Sequence, residues 1–146
     1  MKLPEIKIKV TLKEGDRIKI GNSSDANNIL SLLFDSNTIA WQEEVILLSL
    51  NKANEVFGWY RISKGGTTAT IVDPKIIFSI LLNSGASGFI ISHNHPSGNM
   101  KASNEDLKIT EKLKNAGKLL DIFLVDHIIT SPNKENYVSL ADEGLI

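Results

Sequence analysis

The sequence predicts an α/β domain in which a mixed sheet is flanked by helices, and three observations carry that reading. The apolar runs "EEVILLSLN" (43–51) and "GFIIS" (88–92) are continuous rather than alternating, as in strands covered on both faces. Segments with helical apolar spacing stand between such runs, opened by capping residues. Helices and strands therefore alternate along the chain, the pattern of a layered α/β domain.

Taken in order, the first residues interleave Lys2, Lys7, Lys9 and Lys13 with apolar positions and predict a strand with one wet face. Residues 1–22 read as an N-terminal extension, and 23–146 as the core of a single domain. In "GNSSDANNILSLLFDSN", Ser23 or Ser24 caps a helix whose apolar positions are Ile29, Leu30, Leu33 and Phe34. After the buried strand "EEVILLSLN", "KAN" turns the chain into "EVFGWYRIS", and the pair reads as a hairpin. "KGG" breaks this before "TTATIV", a β-branched strand. Asp73 and Pro74 supply the N-cap and first residue of the next helix. Ile76, Ile77, Ile80 and Leu81 form its inner face, and Gly85 ends it. "GFIIS" is a second buried strand that runs into "SHNHPSGN". A helix follows from Ser103 to about Gly117, then one or two strands in "LLDIFLVDHIIT". A short strand and a helical turn in "YVSLADEGLI" complete the expected elements.

Composition narrows the function classes. The 146 residues are 42% hydrophobic and 23% charged, with a net charge of −1, so no global electrostatic case exists for a nucleic acid or membrane surface. No apolar stretch reaches membrane-spanning length, and the first residues lack a signal peptide's apolar segment. The absence of cysteine removes disulfides and thiolate metal sites, and a cytoplasmic location is expected. No HExxH and no phosphate-loop pattern is present.

Two of the three histidines lie one residue apart, at the end of an apolar run. Strand alternation would point Phe89, Ile91, His93 and His95 the same way, until Pro96 and Gly98 stop the strand. Two imidazoles on one face can grip zinc; they can equally be partly exposed loop histidines with ordinary hydrogen bonds. On a helical wheel, Asp106 shares a side with Ile109, Thr110, Leu113, Ala116 and Gly117, while Lys108, Glu111, Lys112, Asn115 and Lys118 fall opposite. An inward carboxylate with no lysine or arginine on its face needs a cation. His93, His95 and Asp106 thus form a metal-ligand set with room for a water. Ser103 reads both as the helix cap, in a Ser-x-x-Asp version of the capping box, and as a hydroxyl able to bind a developing oxyanion. An Asp bound to metal is not expected to serve fully in both cap and ligand set. His127 reads as a satisfied structural histidine, with a hydrogen bond behind the metal ligands as the alternative.

The spacing His93-x-His95, seven residues beginning with Pro96, then Ser103-x-x-Asp106, resembles the JAMM motif of the JAB/MPN+ metallopeptidase superfamily. "SHNHPSGN", "LVDHIIT" and "YVSLADEG" together resemble its RadC-like branch, over residues 24–146. The resemblance implies a cytidine-deaminase-like α/β fold, a zinc ion held by His93, His95, Asp106 and a water, and an upstream Glu as general base. Glu43 and Glu44 open the same buried strand, and apolar content does not choose between them. The family pattern places its Glu eight residues before the Asp or Asn that ends the strand, here Asn51, and so implies Glu43. RadC proteins are named for DNA repair, a role the motif itself does not support. Longer members carry an N-terminal helix-hairpin-helix segment, for which the residues ahead of the first helix are too few.

The function expected on this basis is zinc-dependent hydrolysis of an amide or isopeptide bond in a protein or peptide substrate, with Glu43 and Ser103 as catalytic residues. The rival readings are a metal-containing adaptor that binds protein without turnover, and a DNA-repair-associated factor or nuclease. Intact ligands with a candidate base favour the enzyme over the adaptor. The lack of a concentrated basic face weighs against the nuclease, and the lysines at 108, 112 and 118 read as a solvated helix side.

Overall fold

The computed structural model describes residues 1–65 and 72–146. Its strands are β1 (Ile18–Lys19), β2 (Glu44–Leu50), β3 (Glu55–Lys64), β4 (Gly88–Asn94), β5 (Phe123–Thr130) and β6 (Tyr137–Ser139). Its helices are α1 (Ser23–Leu33), α2 (Pro74–Ser84) and α3 (Asn104–Leu119). The strands form one sheet in the order β1-β3-β2-β4-β5-β6. Among the described strands only β4 and β5 pair in parallel, with α3 as their crossover, so the sheet is mixed. Of the predicted "TTATIV" strand, all but Val72 lies outside the described residues.

Side-chain alternation divides the sheet into two buried faces. Ile46, Leu48 and Leu50 of β2 and Ile90 of β4 pack with Ala26, Leu30 and Phe34, so α1 covers one face. Val45, Leu47, Phe89 and Ile91 pack with Ile77, Phe78 and Leu81 of α2 and Leu113 of α3 on the other. Every residue of β2 and β4 is buried, the physical reason their sequences are apolar without alternation. The hairpin between β2 and β3 closes through Asn51, whose side chain accepts from Ala53 N at 2.9 Å and Glu55 N at 3.0 Å.

Several local expectations shift. Residues 1–17 carry no strand, and Ile6 and Ile8 are largely exposed, because β1 joins the sheet only at Ile18–Lys19. Asn22, not Ser23 or Ser24, caps α1, its side chain accepting from Asp25 N at 2.9 Å. Phe78 replaces Ile76 on the inner face of α2; Ile76 is 44% exposed. "LLDIFLVDHIIT" yields one strand, and α3 runs past Gly117 to Leu119. Among the described residues, no helix is long and apolar enough to cross a membrane.

Gly117 explains how α3 meets β5. Its carbonyl accepts from Ile122 N at 2.8 Å, folding the chain back over the helix end. A Cβ there would stand 2.2 Å from Ile122 O and 3.2 Å from a Phe89 ring carbon. Gly117→Ala is therefore expected to lower unfolding free energy by roughly 1–3 kcal/mol, the scale of overpacking, in urea melts; an unchanged midpoint would contradict the close approach.

Candidate metal centre

β4 ends at Asn94, and its last residues divide by alternation. His93 shares the α2/α3 face with Phe89 and Ile91, and the rings of His93 and His95 lie 4.7 Å apart. Asp106 arrives in the first turn of α3. Its Oδ1 lies 3.2 Å from His93 Nε2 and its Oδ2 lies 3.2 Å from His95 Nε2, while the two Nε2 atoms are 2.9 Å apart. The three candidate ligand atoms all fall within 4.8 Å of one another and could hold a metal ion.

The donor chemistry fits a cation. His95 Nδ1 meets the Asn99 carbonyl at 2.6 Å, and a carbonyl only accepts, so the proton of a neutral His95 sits on Nδ1. Its Nε2 lone pair is thereby turned towards His93 Nε2 and the carboxylate. The His95 pKa is raised, chiefly by the Asp106 carboxylate, with the Asn99 carbonyl and Glu43 adding against burial. For Asp106, burial alone would raise the pKa, but its interactions with the His93 and His95 rings prevail and hold the carboxyl well below its usual range.

Asp106 also completes the cap. Ser103 N donates to its Oδ2 at 2.8 Å, and Asp106 N donates to Ser103 Oγ at 3.1 Å. Its two oxygens divide these contacts: Oδ1 is turned to His93, while Oδ2 serves the cap and also faces His95. Ser103 thus caps α3 and also lines a groove of about 740 Å³ with His95, Lys101 and Glu43.

Glu43 and Glu44 separate to opposite faces. Glu43 precedes Val45, which pairs with His93, and it lines both the groove and a smaller pocket of about 210 Å³ with His93 and Asp106. Glu44 is fully buried on the α1 side. It accepts from Arg61 Nε at 2.7 Å and from Asp35 N at 3.1 Å. Glu44 is a structural ion-pair residue.

Sequence reasoning missed Asn94. Between the two histidines it points to the opposite face, fully buried. Its Oδ1 accepts from Glu44 N at 2.7 Å, and its Nδ2 donates to Ile39 O at 2.8 Å and Gln42 O at 2.7 Å. The amide therefore holds the loop that carries Glu43. Only its place in "HNH", where alternation turns it away from the histidines, could have signalled this. His127 is also closer to the centre than a satisfied core histidine: its Nε2 lies 2.8 Å from His93 Nδ1, and its Nδ1 lies 2.6 Å from Thr110 Oγ1.

A mixed sheet between α1 and the α2/α3 pair, with a His-His-Asp set at the end of a buried strand, defines the class: an α/β domain of the JAB type. The model of the RadC-like JAB domain matches residues 20–145, and the chain belongs to that family. The chain is 41% identical over 127 residues to a UPF0758 protein of Flavobacterium johnsoniae, an alignment covering 87% of this chain and 53% of that protein. It is 35% identical over 135 residues to a UPF0758 protein of Clostridium perfringens, covering 92% and 57%. With a UPF0758 protein of Methanococcoides burtonii the identity is 38% over 121 residues, covering 83% and 52%. The chain thus spans a little over half the length of these curated relatives, whose names give no activity.

Asn94→Ala would leave one buried donor and two carbonyls without this amide. It is expected to cost roughly 2–4 kcal/mol, from a penalty of about 1–3 kcal/mol per unmet buried group. Denaturant melts measure the loss, and amide exchange should quicken first over residues 39–44. A variant with wild-type stability and exchange would refute the tether.

Proposed function

We propose that the protein is a zinc-dependent hydrolase that cleaves an amide or isopeptide bond in a protein or peptide. The observation that carries this reading is the convergence of His93 Nε2, His95 Nε2 and an ionised Asp106 carboxylate, with Glu43 and Ser103 on the adjoining groove. Two imidazole nitrogens and a carboxylate suit zinc and leave a coordination position open. Zinc held there would supply Lewis acidity, lowering the pKa of a water and polarising the scissile carbonyl.

The chain's own groups do the rest. Glu43 accepts a proton from the attacking water and delivers it to the leaving nitrogen as the C–N bond breaks, so the hydroxyl ends on the acyl carbon. Ser103 Oγ accepts in the cap, and its proton remains a donor for the developing oxyanion. Substrate reaches these groups along the groove beside His95 and Lys101.

The test begins with chelator-stripped protein reloaded with zinc and dialysed. About one zinc per chain is expected, lost in Asp106→Ala. Turnover is then read on quenched peptide and isopeptide-linked substrates. Glu43→Gln should keep zinc and stability while hydrolysis falls by at least ~10²-fold, the scale of general-base removal. Full activity in that variant removes Glu43 from the mechanism. Stoichiometric zinc without any turnover transfers the assignment to a metal-containing protein-binding adaptor, and failure to retain zinc ends the metal reading.

A further inference from the structure

A run of hydrogen bonds behind His93 has one direction only. Thr110 Oγ1 lies 2.6 Å from the Asp106 backbone carbonyl, one helical turn back, and a carbonyl can only accept. The hydroxyl proton is thereby committed to Asp106 O. Thr110 Oγ1 must then accept from its other neighbour, His127 Nδ1, at 2.6 Å. His127 is buried, and its two ring nitrogens meet Thr110 Oγ1 and His93 Nδ1 rather than a carboxylate, so a charged ring there would be buried without a counter-ion. With Nδ1 protonated, the neutral ring presents Nε2 as an acceptor. His93 Nδ1, at 2.8 Å, must then be the donor. The proton of a neutral His93 is on Nδ1, and its lone pair is on Nε2, facing Asp106.

We propose that Thr110 and His127 are positioning residues that set the tautomer and ring orientation of His93, so that its Nε2 is presented to a metal ion. The inference rests on the metal reading of the site and assigns the residues that prepare it. The run starts at the backbone of Asp106 and ends on His93, so it also ties the two ligands' elements, α3 and β4, through β5.

Geometry across the sheet makes this placement specific. Leu124 packs on the α2/α3 face, and strict alternation from there would turn Asp126 to the ligand side. The β4/β5 register instead slips by one residue between Phe89 and Ile90: Phe89 pairs with Leu124, but Ile90 pairs with Asp126 and Ile91 with His127. Such irregularities re-aim side chains beside active sites. Here the slip gives His127 the face of Ile91 and His93. Asp126, released to the other side, accepts from Ser139 Oγ at 2.6 Å and Ala141 N at 3.0 Å, fixing the C-terminal turn.

The test uses the full chain with cobalt(II), whose d–d absorption reports ligand geometry, and zinc in competition with a chromophoric chelator. Thr110→Val removes the hydroxyl at nearly constant shape, Thr110→Ser restores it, and His127→Phe removes the acceptor while keeping an aromatic ring. Thr110→Val and His127→Phe are expected to weaken metal binding by roughly 10- to 100-fold, the range for such outer partners, and to alter the cobalt spectrum. Thr110→Ser should match the wild type in both. A merely structural role would lower metal-free melting temperatures and leave the cobalt spectrum alone. Folded variants with wild-type affinity and spectrum would overturn the proposal. Should His127→Phe fail to fold, long-range proton–nitrogen NMR of the wild type decides: protonated Nδ1 on both His93 and His127 supports the relay, and protonated Nε2 on His127 overturns it. Absence of stoichiometric cobalt binding by the wild type would instead sink the metal reading itself, and the inference with it.

Discussion

Two imidazole nitrogens held 2.9 Å apart, both facing one carboxylate, form an arrangement that the chain cannot satisfy without a cation or a proton. Lone pairs repel one another at that distance, so each ring must be fixed from behind. His95 is fixed by the Asn99 carbonyl in the turn after β4, and His93 by His127 on the neighbouring strand. Asp106 is fixed by the backbone of Ser103 at the start of α3. The crowding at one point therefore dictates what three different elements do several ångströms away.

Strand alternation divides that labour at the end of β4. His93 is turned to the ligand side, while Asn94 is turned to the opposite side and binds the loop that delivers Glu43. The same alternation sorts the two acids at the start of β2. Glu43 goes with Val45 and Leu47 towards the groove, and Glu44 with Ile46 and Leu48 into the α1 layer beside Arg61. A buried carboxylate on that side needs its own cation, and Arg61 supplies it, so Glu44 is occupied in the fold. Neighbouring residues of one type thereby acquire unrelated tasks.

Much of the fold was legible because its strands are buried on both faces and its helices carry strong punctuation. The buried strands and the Asp73-Pro74 start of α2 follow from the residues alone. The gathering of His93, His95 and Asp106 was legible from two periodicities, that of a strand and that of a helix, converging on one side. The N-terminal segment misled because alternation describes a surface that could pair, and residues 1–17 find no such partner among the described strands. The cap of α1 moved by one because Asn22, Ser23 and Ser24 can all accept a backbone proton. His127 and Asn94 were harder for a different reason. The role of His127 depends on a register slip between neighbouring strands, and that of Asn94 on which loop folds beneath it. Neither is written in local periodicity.

The placement of Asp106 has an energetic consequence for the charge of the site. A carboxylate in the first turn of a helix lies where the exposed N–H groups and the helix dipole favour negative charge. The cap orients it there, while His93 and His95 do most to hold it ionised. The hydrophobic clusters on both faces of the sheet are built from β2, β4 and the inner sides of the helices, and neither includes His93, His95 or Asp106. The apolar side chains of the core are thus buried against one another, in contrast to small domains that order only around their metal. A cation entering there would meet side chains already held by hydrogen bonds, so little of its binding free energy would be consumed in ordering them. The same rigidity keeps Glu43 on the adjoining groove through Asn94, which links the geometry of Glu43 to that of His93 and His95 through a single residue of β4.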